Sequence, residues 1–141
     1  MTFDSDKITS LEQWMQEKEG ENCELKEAKG GFHFESLCQY CCALANEGGG
    51  RIILGVTDIR PRKVVGTQAF EQPKRTRKGL CERIPLSIDF EEIHHPDCNP
   101  GSRVLVFHVP PRPVGIPMKY DGRYLRERKE DEVDEKTGGG G

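Results

Sequence analysis

The chain has 141 residues, enough for one domain with a real core and too few for two ordinary ones. An apolar fraction of 34% and a charged fraction of 32% describe a heavily charged soluble protein. No apolar run approaches the roughly 18 residues that a membrane span needs, and the acidic start "MTFDSDK" lacks the features of a secretory leader, so a cytoplasmic protein with no membrane partner is expected. The formal charge of −3 conceals an asymmetry, because Arg51 to Arg83 carries nine Lys or Arg against three acids while Glu127 to Glu135 carries six acids against two bases.

In chain order, "TSLEQWMQEKEG" reads as a short amphipathic helix, with Thr9 or Ser10 as N-cap, Glu12 and Gln13 placed for a capping box, Leu11, Trp14 and Met15 on one face, and Gly20 as the stop. "NCELKEAK" alternates as a strand with one wet side, Cys23 and Leu25 inward and Glu24 and Lys26 outward. Phe34, Leu37, Cys41, Leu44 and Ala45 recur at helical spacing, and the glycines that follow end that helix. "RIILGV" is a continuous branched run, as in a central strand buried on both faces, and "KVVG" reads as a short strand paired with it. "QPKRTRKGLCERI" has Pro73 near a helix start, a dense basic face, and Leu80 and Ile84 four apart for packing, with Gly79 against the assignment. "LSIDFEEI" alternates as a one-face strand, "SRVLVFHV" is a second buried strand, and "KYDGRY" places Asp-Gly at a hairpin tip. The predicted fold class is therefore α/β (α+β), a single domain over 9–128 with a mixed β-sheet packed by helices and a C-terminal β-hairpin. Residues 129–141 form an acidic tail or linker ending in glycines.

Six cysteines with uneven spacing in a cytosolic setting read as free thiols. "CQYCC" contains a C-x-x-C, and "HHPDC" offers His94, His95 and Cys98 as soft ligands. The second C-x-x-C of a zinc ribbon is missing, and a small buried hydrophobe on a helix face is the plainer role for Cys41.

The three glycines after the second helix raise the question of a phosphate cradle. A P-loop runs from strand to helix and carries Gly-Lys-Ser/Thr. Here the glycines run from helix to strand, and that triplet is absent, so an ATPase is not expected. They read as a turn that needs positive φ.

"EGENCELKEAK" followed by "ALANEGGGRIILGVTD" resembles the Schlafen/AlbA-like domain family (AlbA-2 type, also described as divergent AAA). The shared elements are a glutamate, four residues, a second glutamate, an apolar residue and a lysine, then a helix ending Ala-apolar-Ala-Asn, a Gly-Gly turn, an apolar strand and Gly-Val-x-Asp. The resemblance continues through "KVVG", "RVLVFHVPP" and "GRYLRER", about Leu11 to Arg128. It implies a Schlafen-core-like fold and nucleic-acid binding, RNA or DNA, as the N-terminal module of a transcription-regulator-like or defence protein whose C-terminal domains are absent from this chain. It implies also a three-carboxylate site, which in Schlafen members cuts transfer and ribosomal RNA, and carried over by position the acids are Glu19, Glu24 and Asp58. A nucleotide-binding or oligomerisation module is a third reading, and a single lobe would grip RNA as a homodimer.

Chemistry supports the acidic site, since Mg²⁺ or Mn²⁺ takes carboxylate oxygens and can bridge a scissile phosphate. Glu19, Glu24 and Asp58 are thus the candidate catalytic and metal residues, with no organic cofactor expected. Convergence of Glu19 with Glu24 needs a chain break at Gly20 or Asn22, and each acid alone is ordinarily a solvated charge. The candidate nucleic-acid-binding residues are Lys26, Arg60, Arg62, Lys63, Lys74, Arg75, Arg77 and Lys78, with Tyr124 and Arg126, near Tyr120, on the hairpin. The basic stretch lacks interleaved aromatics for base stacking, and its plain alternative is a solvated helix face.

Overall fold

The computed structural model describes residues 4–17, 22–117, 119–120 and 123–124, the last four by strand placement alone. Helix α1 (Ser5–Gln16) precedes strand β1 (Cys23–Lys26), helix α2 (Phe34–Asn46), strand β2 (Gly50–Leu54), helix α3 (Pro73–Arg83), strands β3 (Asp89–Ile93) and β4 (Val104–Val109), and the pair β5 (Lys119–Tyr120) and β6 (Arg123–Tyr124).

The four longer strands form one mixed sheet in the order β1-β2-β4-β3. β1 runs parallel to β2, and β4 is antiparallel to both β2 and β3. "RIILGV" therefore supplies an interior strand, and its side chains alternate between two cores. Ile52 and Leu54 join α2, α3, Leu105 and Phe107 on one face. Ile53 joins Leu11 of α1, Cys23, Leu25, Val104 and Val106 on the other. A strand covered by helices on both sides has no wet face, which is why its sequence is apolar without interruption. The hairpin pairs Lys119 with Tyr124 and Tyr120 with Arg123, and its Asp-Gly tip lies outside the described residues.

The turn after α2 is a glycine turn. Gly48 and Gly49 have φ of +105° and +88°, and the Gly49 N–H bonds Leu44 O at 2.8 Å, closing the helix end. A Cβ at Gly49 would stand 2.8 Å from Pro111 N and 2.9 Å from Val109 O, so this residue also lets the chain leaving β4 pass close by.

Three local expectations are corrected. α1 starts at Ser5, because Asp4 accepts the N–H groups of Asp6 and Lys7 at 3.1 and 3.3 Å and so is the N-cap. Thr9 instead donates its hydroxyl to Ser5 O at 2.9 Å inside the helix. "KVVG" forms no strand; Val64 makes one isolated bridge to Val56, since the chain between them closes as a loop. Glu24 is not on a wet side, being only 3% exposed, because α2 lies over that face of β1. The chain break expected before β1 is visible at Asn22, whose φ is +73°, whereas Gly20 lies outside the described residues.

Candidate functional site

Parallel β1 and β2 end at the same edge of the sheet, where ligand sites of α/β folds form. The join is tight: Lys26 O accepts the N–H of Gly55 at 2.7 Å, so the chain that leads to Asp58 departs directly beside the last residue of β1. Glu24 and Lys26 register with Ile52 and Leu54 and so face α2. There α2 contributes Tyr40, 7% exposed, whose ring centroid lies 5.1 Å from Lys26 Nζ and which Phe32 backs at 6.3 Å. Burial alone would lower the Lys26 pKa, but the Tyr40 hydroxyl and the charges of Glu24 and Asp58 outweigh it and raise it, so the ammonium stays charged. Glu24, Lys26, Tyr40 and Asp58 thus form a polar group set into an otherwise apolar sheet face. Asp58 Oδ1 is fully buried and has no hydrogen-bond partner among the described residues, a costly state for a carboxylate oxygen. Glu19, the third acid of the expected site, lies outside the described residues.

The loop that begins after β2 is closed at its neck by Thr57 N–H to Lys63 O at 2.9 Å and Lys63 N–H to Thr57 Oγ1 at 2.8 Å. Its arginines turn toward α1. Arg60 Nη2 donates to Glu17 O at 2.9 Å, and Arg62 Nη1 donates to Met15 O at 2.9 Å and Glu17 O at 2.7 Å. The last carbonyls of a helix have no partner within it and carry its negative dipole end, so guanidiniums are well placed there. Arg51 adds a third cation, stacked 4.5 Å from the Trp14 ring and 3.5 Å from Glu17 Oε1. Of the two loop arginines read as phosphate contacts, both spend their guanidiniums on the helix end, while Lys63 remains exposed. Beside them a cleft of about 420 Å³ opens between Glu12, Met15, Arg62, Val64, His95 and Asp97.

Lys74, Arg75, Arg77 and Lys78 all stand exposed on α3. Arg77 pairs with Asp89 at 3.1 Å, and the other three make no ion pair among the described residues. Gly79 marks a close approach of this helix to α2, for a Cβ there would meet Phe34 Cζ at 3.1 Å. Tyr124 is described only as part of β6, and Arg126 lies outside the described residues.

All six cysteines are free thiols, four of them buried. Among the described residues no three His, Cys, Asp or Glu side chains gather as metal ligands, so neither "CQYCC" nor His94, His95 and Cys98 builds a soft-metal site there.

Two residues that the sequence reading passed over matter here. Tyr40 lay hidden in a helix read for its apolar face. Arg103, 7% exposed, donates to Thr67 O, Ala69 O and Phe70 O at 2.9, 2.9 and 2.8 Å and to Glu92 Oε2 at 2.9 Å, and so ties to the sheet the segment that leads into α3. Its only sequence signal is a charge directly before a buried strand.

Comparison with known proteins places the fold in a family. The model of the Schlafen, AlbA_2 family matches residues 19–134. No curated protein matches the chain. Among solved structures, the chain is similar to the DIP2311 protein of Corynebacterium diphtheriae, with a TM-score of 0.61 at 20% identity over 88% of this chain and 28% of that one. It therefore spans well under a third of that protein's length. It is also similar to the N-terminal domain of a RecG-related protein of Nitrosomonas europaea, with a TM-score of 0.45 at 20% identity over 93% of this chain and 92% of that one. Among the described residues no helix is long and apolar enough to cross a membrane.

Proposed function

The chain belongs to the Schlafen, AlbA_2 family, and from that premise we propose that it is a nucleic-acid-binding module that grips the phosphate backbone through the exposed side of α3. The observation that carries this reading is the state of Lys74, Arg75 and Lys78, three exposed cations on one short helix with no ion pair among the described residues. Surface cations with no intramolecular partner are available to phosphates, and the counterions released on contact drive binding. No aromatic side chain interleaves with them, so the contact is expected to follow the backbone with little base preference. The test is fluorescence anisotropy of labelled single-stranded RNA and duplex DNA over a salt series. Binding at low salt, with log K falling linearly in log salt, supports the module. Absence of binding to either at low salt returns α3 to an ordinary solvated face.

A second reading, a metal-dependent endoribonuclease, is favoured by Asp58. A buried carboxylate oxygen with no hydrogen-bond partner among the described residues suits a cation, and Glu24 and Asp58 offer the hard oxygen donors that Mg²⁺ or Mn²⁺ prefers. Glu24 and Asp58, with Glu19, would hold the ion, which when bound supplies charge stabilisation at a phosphate and an activated water. Among the described residues the Lys26 ammonium, held against the Tyr40 ring, is the group that would donate to a phosphate oxygen.

A further inference from the structure

We infer that Arg60 and Arg62 are positioning residues for the acidic site: they bolt the loop that begins at Asp58 to the end of α1, so that the shape of the loop and the docking of α1 are one event. This rests on the reading of Asp58 as a cation ligand and adds to it the device that holds Asp58 in place.

Four observations carry the inference. First, the loop is a closed unit, pinned at its neck by the Thr57–Lys63 bonds and the Val56–Val64 bridge. What remains to be fixed is where the rest of the loop lies. Second, α1 has no basic residue in its last turn, so its terminal carbonyls depend on cations from elsewhere, and Arg60 and Arg62 supply them through three bonds of 2.7–2.9 Å. Third, Arg62 is half-buried with its Nε fully enclosed, a poor disposition for a phosphate contact and a good one for a clamp. Fourth, Asp58 is only two residues from Arg60, yet its buried Oδ1 pairs with neither arginine. A loop built for internal neutrality would turn a guanidinium onto its own acid. Here both turn away and fix the backbone that carries the acid, and the cation whose charge Asp58 feels is Lys26 of β1. Supporting residues of this kind set metal affinity without touching the ion.

The experiment uses the full chain with Arg60→Met and Arg62→Met combined, and separately Arg62→Lys. Two readouts are taken: the affinity for Mn²⁺ alone by titration calorimetry, and amide hydrogen exchange. In the double variant Mn²⁺ affinity is expected to fall roughly tenfold or more. Exchange at 14–17 and 57–63 should accelerate together, while the β2 and β4 amides stay protected. Arg62→Lys, which keeps a cation at the carbonyls, should fall between wild type and the double variant and serves alone if the latter does not fold. Mn²⁺ affinity within twofold of wild type, or loop exchange that accelerates without the α1 end, overturns the clamp. A wild-type chain that binds no Mn²⁺ overturns instead the reading of Asp58 on which the positioning role rests.

Discussion

Replacing Arg103 by methionine keeps the apolar stem of the side chain and removes the guanidinium. Three backbone carbonyls, Thr67 O, Ala69 O and Phe70 O, then lose their donor, and Glu92 loses its ion pair. Counted separately, hydrogen bonds to a charged donor at about 1.5–3 kcal/mol each would sum to well over 6 kcal/mol. That sum is too large, because the variant also escapes the cost of burying a guanidinium, several kcal/mol in itself. The ion-pair part must be discounted too, since the Glu92 side chain is 36% exposed and is screened by water. The net expectation is a loss of about 3 kcal/mol, the lower end of what breaking a buried charge network costs. With a urea m-value of about 1.5 kcal/mol/M for a domain of this size, the unfolding midpoint should fall by about 2 M. Arg103→Lys should recover little, because one ammonium cannot span three carbonyls and a carboxylate as a planar fork does. The 67–70 segment leads into α3, so nucleic-acid affinity should fall with stability. A midpoint shift below about 0.5 M would refute the assignment of Arg103 as the anchor of that segment.

Gly49→Ala should destabilise the fold by about 2 kcal/mol, since φ is +88° and the new Cβ would meet Pro111 N and Val109 O below 3 Å; chemical denaturation reads the loss, and a neutral result would contradict the close passage of the two chains. Burial pushes the Cys23 and Cys38 thiols up to about 12 from the ordinary 9.0. Thiols raised in the folded state contribute stability that is complete below pH 9 and is lost as pH climbs from there toward 12, so between pH 8 and 10 each should cost roughly 1 kcal/mol. Exposed Cys81 should react first with a thiol reagent, and rapid reaction of Cys41 in the folded protein would be inconsistent with its enclosure. Asp58→Asn should leave the urea midpoint near that of wild type, because relief of a buried oxygen with no hydrogen-bond partner among the described residues offsets the lost attraction to Lys26; if the wild-type chain cleaves structured RNA with Mn²⁺, the same change should abolish that cleavage, and equal cleavage by both proteins would place the nuclease activity elsewhere.

What the sequence reveals and conceals here follows from the range of the interactions. "GGGRIILGV" declares itself because turn, strand and burial on both faces are encoded within nine consecutive residues. Glu24 misleads, because strict alternation in "NCELKEAK" looks the same whether its second face meets water or a helix. That difference is made by Tyr40 and the rest of α2, ten or more residues away. Arg60 and Arg62 read as free cations because sequence reports charge and not direction, and their partners Met15 and Glu17 lie 43 to 47 residues earlier. The start of α1 moved to Asp4 because two cap candidates compete locally, and the aspartate satisfies two amides where Thr9 can serve the helix from inside. The family motif singled out Glu24 and Asp58, whose charges both act on Lys26 at the end of β1. The bonds of Arg103 to the 67–70 segment and of Arg60 and Arg62 to the end of α1 were not legible, because each is made by a single long side chain reaching across the fold.

The central claim is that α3 makes the phosphate contacts, and the slope of binding against salt tests it most directly. Lys74, Arg75 and Lys78 are changed together to glutamine, and log K is measured against log salt for the variant and the wild type. Loss of three phosphate contacts should flatten the slope by about 2 on single-stranded RNA and closer to 3 on duplex DNA, while exposed positions on a retained helix leave the urea midpoint near that of wild type. Equal slopes for the two proteins, with both still bound, would contradict the account and move the interface off α3.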